Sequence, residues 1–233
     1  MRKRRMSTKR VHIAAQTVAM AKSANHRQVS KRSRGFGLSQ QNPFTAPEDW
    51  YESHEEASND YRVVKQPAGD GYVHAVTESE IRDRLADLPE WMIAPLEVVQ
   101  LSRMTRKKQT FPCYGMQWGT SLYLYPIEDS LVEIFSRPPK PTVYNEARQF
   151  GGRWDQVDGE WQLRWTEDSL RNFYLNNILI HELGHLLDDR NASYRDRERY
   201  AEWFAIEYGY KPAIASGKAK PRTRKVVRRH HAK

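Results

Sequence analysis

All 29 acidic residues of this 233-residue chain lie between positions 48 and 210. Residues 1–47 carry 11 Lys/Arg and no acid; residues 211–233 carry 9 and no acid. The stretch between them holds the other 18 of the 38 basic residues, a net charge of −11. Runs of a single sign stay solvated and resist collapse. Residues 1–47 and 211–233 are therefore expected to be disordered basic tails, with one core-building domain at 48–210. The overall hydrophobic content of 39%, somewhat below the usual share, fits a body with core-free ends.

Several classes are excluded or disfavoured at once. One cysteine, Cys113, rules out an intramolecular disulfide framework and a cysteine-based zinc knuckle. No run of about 18 apolar residues exists, so no membrane partner is expected. Val11–Ala21 comes after a basic start but is interrupted by His12, Gln16 and Thr17, a poor signal peptide. A cytoplasmic location is the expectation. The tails are suited to polyanions: each Lys/Arg meeting a phosphate releases counterions, so non-specific contact with nucleic acid would be sequence-blind and salt-sensitive.

Within the body, ordered structure is expected to begin between 45 and 60, after a Ser/Gly/Gln/Asn/Pro-rich linker at 30–47. Val63–Gln66 and Tyr72–Val76 flank Pro-Ala-Gly-Asp-Gly, which predicts a hairpin. Thr77-Glu-Ser-Glu80 is a capping box opening a short helix that Pro89 stops. Leu96–Leu101, Gly119–Tyr125 and Leu131–Phe135 read as strands from their branched and aromatic content. Arg153–Val157 and Trp161–Trp165 bracket Asp158-Gly159, a strong two-residue hairpin signal. Trp154, Trp161 and Trp165 read as core.

From Thr166 the period changes. Thr166 or Asp168 can cap a helix to about Asp189, with Leu175, Leu179, Leu183 and Leu186 on one face. A second helix is predicted over about 194–208, ended by Gly209 and Pro212. The fold class expected is α+β, a mostly antiparallel sheet packed on two helices.

Inside the first of these helices stands His181-Glu182-Leu183-Gly184-His185. Histidines four apart lie about 40° apart around a helix and about 6 Å apart along it, so both imidazoles can reach one ion. Neutral imidazole suits Zn²⁺. Glu182 is rotated about 100° from His181, beside the ion rather than on it, where a carboxylate can take a proton from water. Gly184 costs about 1 kcal/mol in a helix relative to Ala, a penalty that a close approach of other backbone or substrate would explain.

A catalytic zinc needs a third protein ligand. Asp188 is seven residues beyond His181, about 10.5 Å of rise, too far for convergence from one straight helix. It reads as an acidic helix end or a supporting group. The next helix supplies Glu198-Arg-Tyr-Ala-Glu202-Trp-Phe-Ala205. Over residues 170–210 the chain resembles the gluzincins, most closely the ImmA/IrrE-like metallopeptidases, whose HELGH helix is succeeded by E-x-x-A-[N/D]-x-F-A. The resemblance implies a zincin-like fold and a zinc metallopeptidase, an endopeptidase acting on a protein or peptide. It implies His181, His185 and Glu198 as ligands, Glu182 as general base, and Glu202 as an acid that orients a ligand histidine. Only 12 residues separate His185 from Glu198, and Glu202 stands where the family has Asn or Asp, so Glu202 remains the alternative third ligand.

Peptide hydrolysis also needs a donor for the developing oxyanion. Tyr194, Tyr200 and Tyr208 are near in sequence, Tyr194 being the leading candidate. An extended substrate needs an edge strand, and the charge-free Gly119–Tyr125 is the candidate.

Overall fold

Val98-Val99-Gln100-Leu101 and Ser121-Leu122-Tyr123-Leu124 are each buried along their whole length. Strands covered on both faces belong in the interior of a sheet, and the computed structural model, which describes residues 46–51, 60–110 and 113–219, places them there. The central sheet has the order β1 (Arg62–Lys65), β3 (Val98–Leu101), β5 (Ser121–Leu124), β4 (Gly115–Trp118). Pairings β1–β3 and β3–β5 are parallel, and β4–β5 is antiparallel. Two short strands, β2 (Tyr72–Val73) and β6 (Ile127–Glu128), pair separately. An antiparallel sheet of order β7 (Val132–Phe135), β9 (Glu160–Arg164), β8 (Arg153–Val157) completes the strands.

The fold is α+β, as expected, but the sheet beside the helices is mixed rather than mostly antiparallel. The reason lies in the connections. Between β1 and β3 the chain forms α1 (Glu78–Ala86) and α2 (Glu90–Ile93), and a helical crossover returns the next strand parallel. The expected hairpin of Val63–Gln66 with Tyr72–Val76 is absent for the same reason. A turn does form there, with positive φ at Gly69 and Gly71, yet β1 pairs with the buried β3 and β2 with β6. The other local signals hold. Thr77 and Glu80 make a reciprocal capping box, and Asp158-Gly159, both at positive φ, join β8 to β9. Trp165 is buried, with Trp154 and Trp161 half-buried against the core. Unforeseen elements are α2, β6, β4, α3 (Arg106–Thr110) and α4 (Pro141–Gln149), the last opened by a proline in its first turn.

The helical part is longer and less regular than the periodicity implies. Thr166 caps α5 (Glu167–Phe173), which runs through a π-helical segment, Tyr174–Ile178, into α6 (Leu179–Leu187). The wider turn rotates α6 relative to α5, so the leucine stripe is only partly kept: Leu179 and Leu183 are fully buried, Leu175 and Leu186 half-buried. The second helix, α7 (Tyr194–Phe204), does not end at Gly209 or Pro212. It continues through a second π segment, Ala205–Tyr210, into α8 (Lys211–Ala215). A Cβ on Gly209 would overlap the backbone oxygen of Asn176, so this glycine marks a helix crossing instead of a helix end. Pro212 falls in the first turn of α8, where a missing N–H is tolerated.

Buried Arg84 of α1 ties the two π segments together, donating from Nε to Asn176 Oδ1 at 2.8 Å and from its terminal nitrogen to the Tyr208 carbonyl. Ala213 and Ala219 are buried, so the body reaches past the expected limit of 210. At the other end Pro47 is buried, and the Tyr51 amide donates to the Tyr123 hydroxyl at 3.3 Å. The rest of the expected tails, 1–45 and 220–233, lies outside the described residues.

Candidate metal centre

Helix α6 is apolar on most of its circumference, and Leu179, Ile180 and Leu183 are fully buried. A helix so enclosed presents its polar residues to a fixed environment. His181 and Glu182 are each 9% exposed. The two imidazoles meet edge to face, with ring centres 4.8 Å apart and their Nε2 atoms 3.1 Å apart.

The third group comes from α7. Gly184 allows this: a Cβ there would lie 3.0 Å from both Ala201 Cα and Phe204 Cβ, so α6 and α7 touch almost backbone to backbone. The close approach expected at this glycine is therefore the neighbouring helix. Between the two helices Asp188 turns the chain, its Oδ1 accepting from the Asn191 amide at 3.2 Å and from Asn191 Nδ2 at 2.9 Å. Ser193 then caps α7, and Arg197 donates to the His185 carbonyl at 3.0 Å. This tight turn is why a spacing of only 12 residues suffices.

Glu198 is 7% exposed. Its Oε1 lies 3.3 Å from His185 Nε2 and its Oε2 lies 3.9 Å from His181 Nε2. One donor atom from each of His181, His185 and Glu198 lies within 4.8 Å of the others, and the group could hold a metal ion. Ligands of a tetrahedral ion bound at about 2.0–2.1 Å sit about 3.3 Å apart, close to the separations observed. Glu202, half-buried one turn further along α7, is not in this group.

Glu182 lies beside the three donors, on the side of β4. A Cβ on Gly115 would fall 2.8 Å from Glu182 Oε1, and the Gln117 backbone N–H donates to the carboxylate. Burial pushes the Glu182 carboxyl up to about 7, against the pull of His185, buried Lys108 and the Gln117 amide. Burial works against protonation of His185, but the hydrogen bond to Glu198 and the nearby carboxylates raise its pKa above the ordinary value. Tyr194, one turn before Glu198, is pushed up by burial and by the charges of Glu198 and Glu182, which its hydroxyl faces. The structure thus brings together His181, Glu182, His185, Glu198 and Tyr194.

Gly119–Tyr125 does not supply the edge strand. β5 is interior, flanked by β3 and β4; the edge strand on the side of α6 is β4, which packs on that helix. Gly119, at φ 57°, belongs to the turn joining β4 to β5. That glycine, with Thr120 after it, was the available signal for a β4–β5 hairpin. Behind Glu182, Lys108 Nζ lies 3.0 Å from Cys113 Sγ and 4.0 Å from the centre of the Tyr125 ring. No pattern in the sequence marked this pair.

No protein-family model, curated protein or solved structure matches the chain.

Proposed function

We propose that this protein is a zinc-dependent metallopeptidase of zincin type that hydrolyses peptide bonds in a protein or peptide. The observation that carries the reading is the convergence of His181, His185 and Glu198 at separations of 3.1, 3.3 and 3.9 Å beside a buried acid. Two imidazoles and one carboxylate are one of the recurrent donor sets of catalytic zinc sites, which keep a fourth position open. Bound there, zinc supplies Lewis acidity, polarising a carbonyl and lowering the pKa of water toward 7.

The remaining work falls to the chain. Glu182, buried beside the three donors and packed against β4, is placed to accept a proton from water and return it to the leaving amine. Tyr194 has its hydroxyl beside Glu198 and stays protonated, so it can donate to the developing oxyanion. The β4 edge offers backbone groups against which an extended peptide can pair. Among the described residues no helix is long and apolar enough to cross a membrane; action in the cytoplasm is part of the proposal.

Metal analysis of wild type beside His185→Ala tests the ligand set: one equivalent of zinc in the first and none in the second is expected. Glu182→Gln is expected to keep the zinc and lose turnover. Cleavage by Glu182→Gln at the wild-type rate would refute the mechanism.

A second reading rests on the charge partition. Acid-free termini on a body of net charge −11 suit recruitment to nucleic acid, either for a peptidase acting on bound proteins or for a binding protein with an inactive body. Affinity for RNA or duplex DNA that falls steeply with salt is expected. Affinity insensitive to salt would remove this reading.

A further inference from the structure

Glu133 on β7 is 2% exposed, more enclosed than Glu182, and has no part in the proposed chemistry. Its two oxygens accept from the Tyr114 hydroxyl at 2.8 and 2.7 Å, and Oε1 also accepts from Trp165 Nε1 at 2.8 Å. Among the described residues no Lys or Arg pairs with it. A buried acid supported only by neutral donors is costly, and a packed apolar residue would serve the core better. What the carboxylate holds in place is therefore informative.

It holds Tyr114, the residue immediately before β4. The Tyr114 carbonyl accepts from the Tyr125 amide at 2.9 Å. Its ring meets Phe173 and Tyr174 edge-on, with centres 5.0 and 5.8 Å apart. The chain then passes directly against Glu182. The missing side chain of Gly115 leaves the room that Glu182 Oε1 and Ile178 Cγ2 occupy, and two residues later the Gln117 amide holds the carboxylate. The Tyr114 hydroxyl is a side-chain tether at the head of the strand that supports Glu182.

We infer that Glu133 is a positioning residue: by fixing the Tyr114 hydroxyl it sets where β4 lies against α6, and so how the Glu182 carboxylate is aimed. The inference rests on reading Glu182 as the general base, and it adds residues distant in sequence from the HExxH motif. A network that merely stabilised the core would affect unfolding without touching β4 selectively.

The experiment compares Tyr114→Phe, Glu133→Gln and Trp165→Phe with wild type in the full chain. It reads amide hydrogen exchange at Gln117, zinc content, and kcat and KM on denatured casein. Tyr114→Phe removes one oxygen; it is expected to speed exchange at Gln117 and to lower kcat roughly tenfold, with KM and zinc content unchanged. Glu133→Gln keeps an acceptor oxygen and should fall between Tyr114→Phe and wild type. Trp165→Phe breaks a bond to the same carboxylate without touching β4; it should lower the melting temperature and leave Gln117 exchange and kcat alone. Unchanged Gln117 exchange and kcat in Tyr114→Phe would overturn the inference. If wild type does not cleave casein, the general-base reading suffers, and the exchange measurement still decides whether Glu133 governs β4.

Discussion

Burial pushes the carboxyls of both Glu133 and Glu182 up to about 7, but their surroundings differ. Glu182 faces two histidines and a second carboxylate, whereas Glu133 faces a phenol and an indole. For Glu133 the shift bears on stability. Below the unfolded value of 4.5 the carboxyl is protonated in both states. As pH rises the unfolded chain releases its proton first, so this contribution is full below 4.5 and is lost as pH passes through 7. The loss is about 3 kcal/mol at most. Glu133→Gln should flatten that part of the pH dependence, which urea unfolding between pH 4.5 and 8 in the presence of a chelator would show; a slope equal to wild type would contradict it. For Tyr194, removal of the hydroxyl in Tyr194→Phe should lower kcat by about 10²-fold with zinc retained. His181, Glu182 and His185 were legible because a spacing of four on one helix fixes their geometry locally. Glu133 was not, because its partners Tyr114 and Trp165 stand 19 and 32 residues away.

At the scale of elements, the site depends on three close approaches made by glycines. Gly184 brings α6 and α7 together at the candidate metal centre, Gly209 seats the second π segment on the first, and Gly115 lets β4 pass Glu182. The consequences of adding a methyl group differ. At Gly209 it would overlap backbone, so Gly209→Ala should destabilise by about 3 kcal/mol or more, read by denaturant unfolding. At Gly115 it would lie 2.8 Å from Glu182 Oε1 and Ile178 Cγ2, so Gly115→Ala should depress turnover more than it depresses the melting temperature. Sequence patterns recognised Gly184 as unusual but read Gly209 and Pro212 as a helix end. The ambiguity is physical: a glycine that stops a helix and a glycine that admits a neighbouring carbonyl look alike until the neighbour is known. The Pro67–Gly71 turn misled in the same way, since turn residues fix a change of direction but not which strands then pair.

Over the whole molecule, the two cationic ends and the acidic body were readable from charge alone, because charge needs no partner to be counted. The parallel order of β1, β3 and β5 was not, since it is decided by long connections and shared burial. The same body encloses an unusual polar load at one point: His181, Glu182 and Glu198 are each under 10% exposed, and two carboxylates so close repel each other. A divalent cation held among them would offset that repulsion in the folded state and would find no preformed group in the unfolded chain. Zinc at about 100 times its dissociation constant should therefore stabilise the protein by about 2.7 kcal/mol, a rise in melting temperature of roughly 5–10 °C for a chain of this size. His185→Ala removes one ligand and should abolish the rise, while Glu182→Gln, which keeps all three ligands, should preserve it. Calorimetry with and without a chelator measures each case. Equal melting temperatures for wild type in zinc and in chelator would mean that the three groups do not bind the ion as a unit.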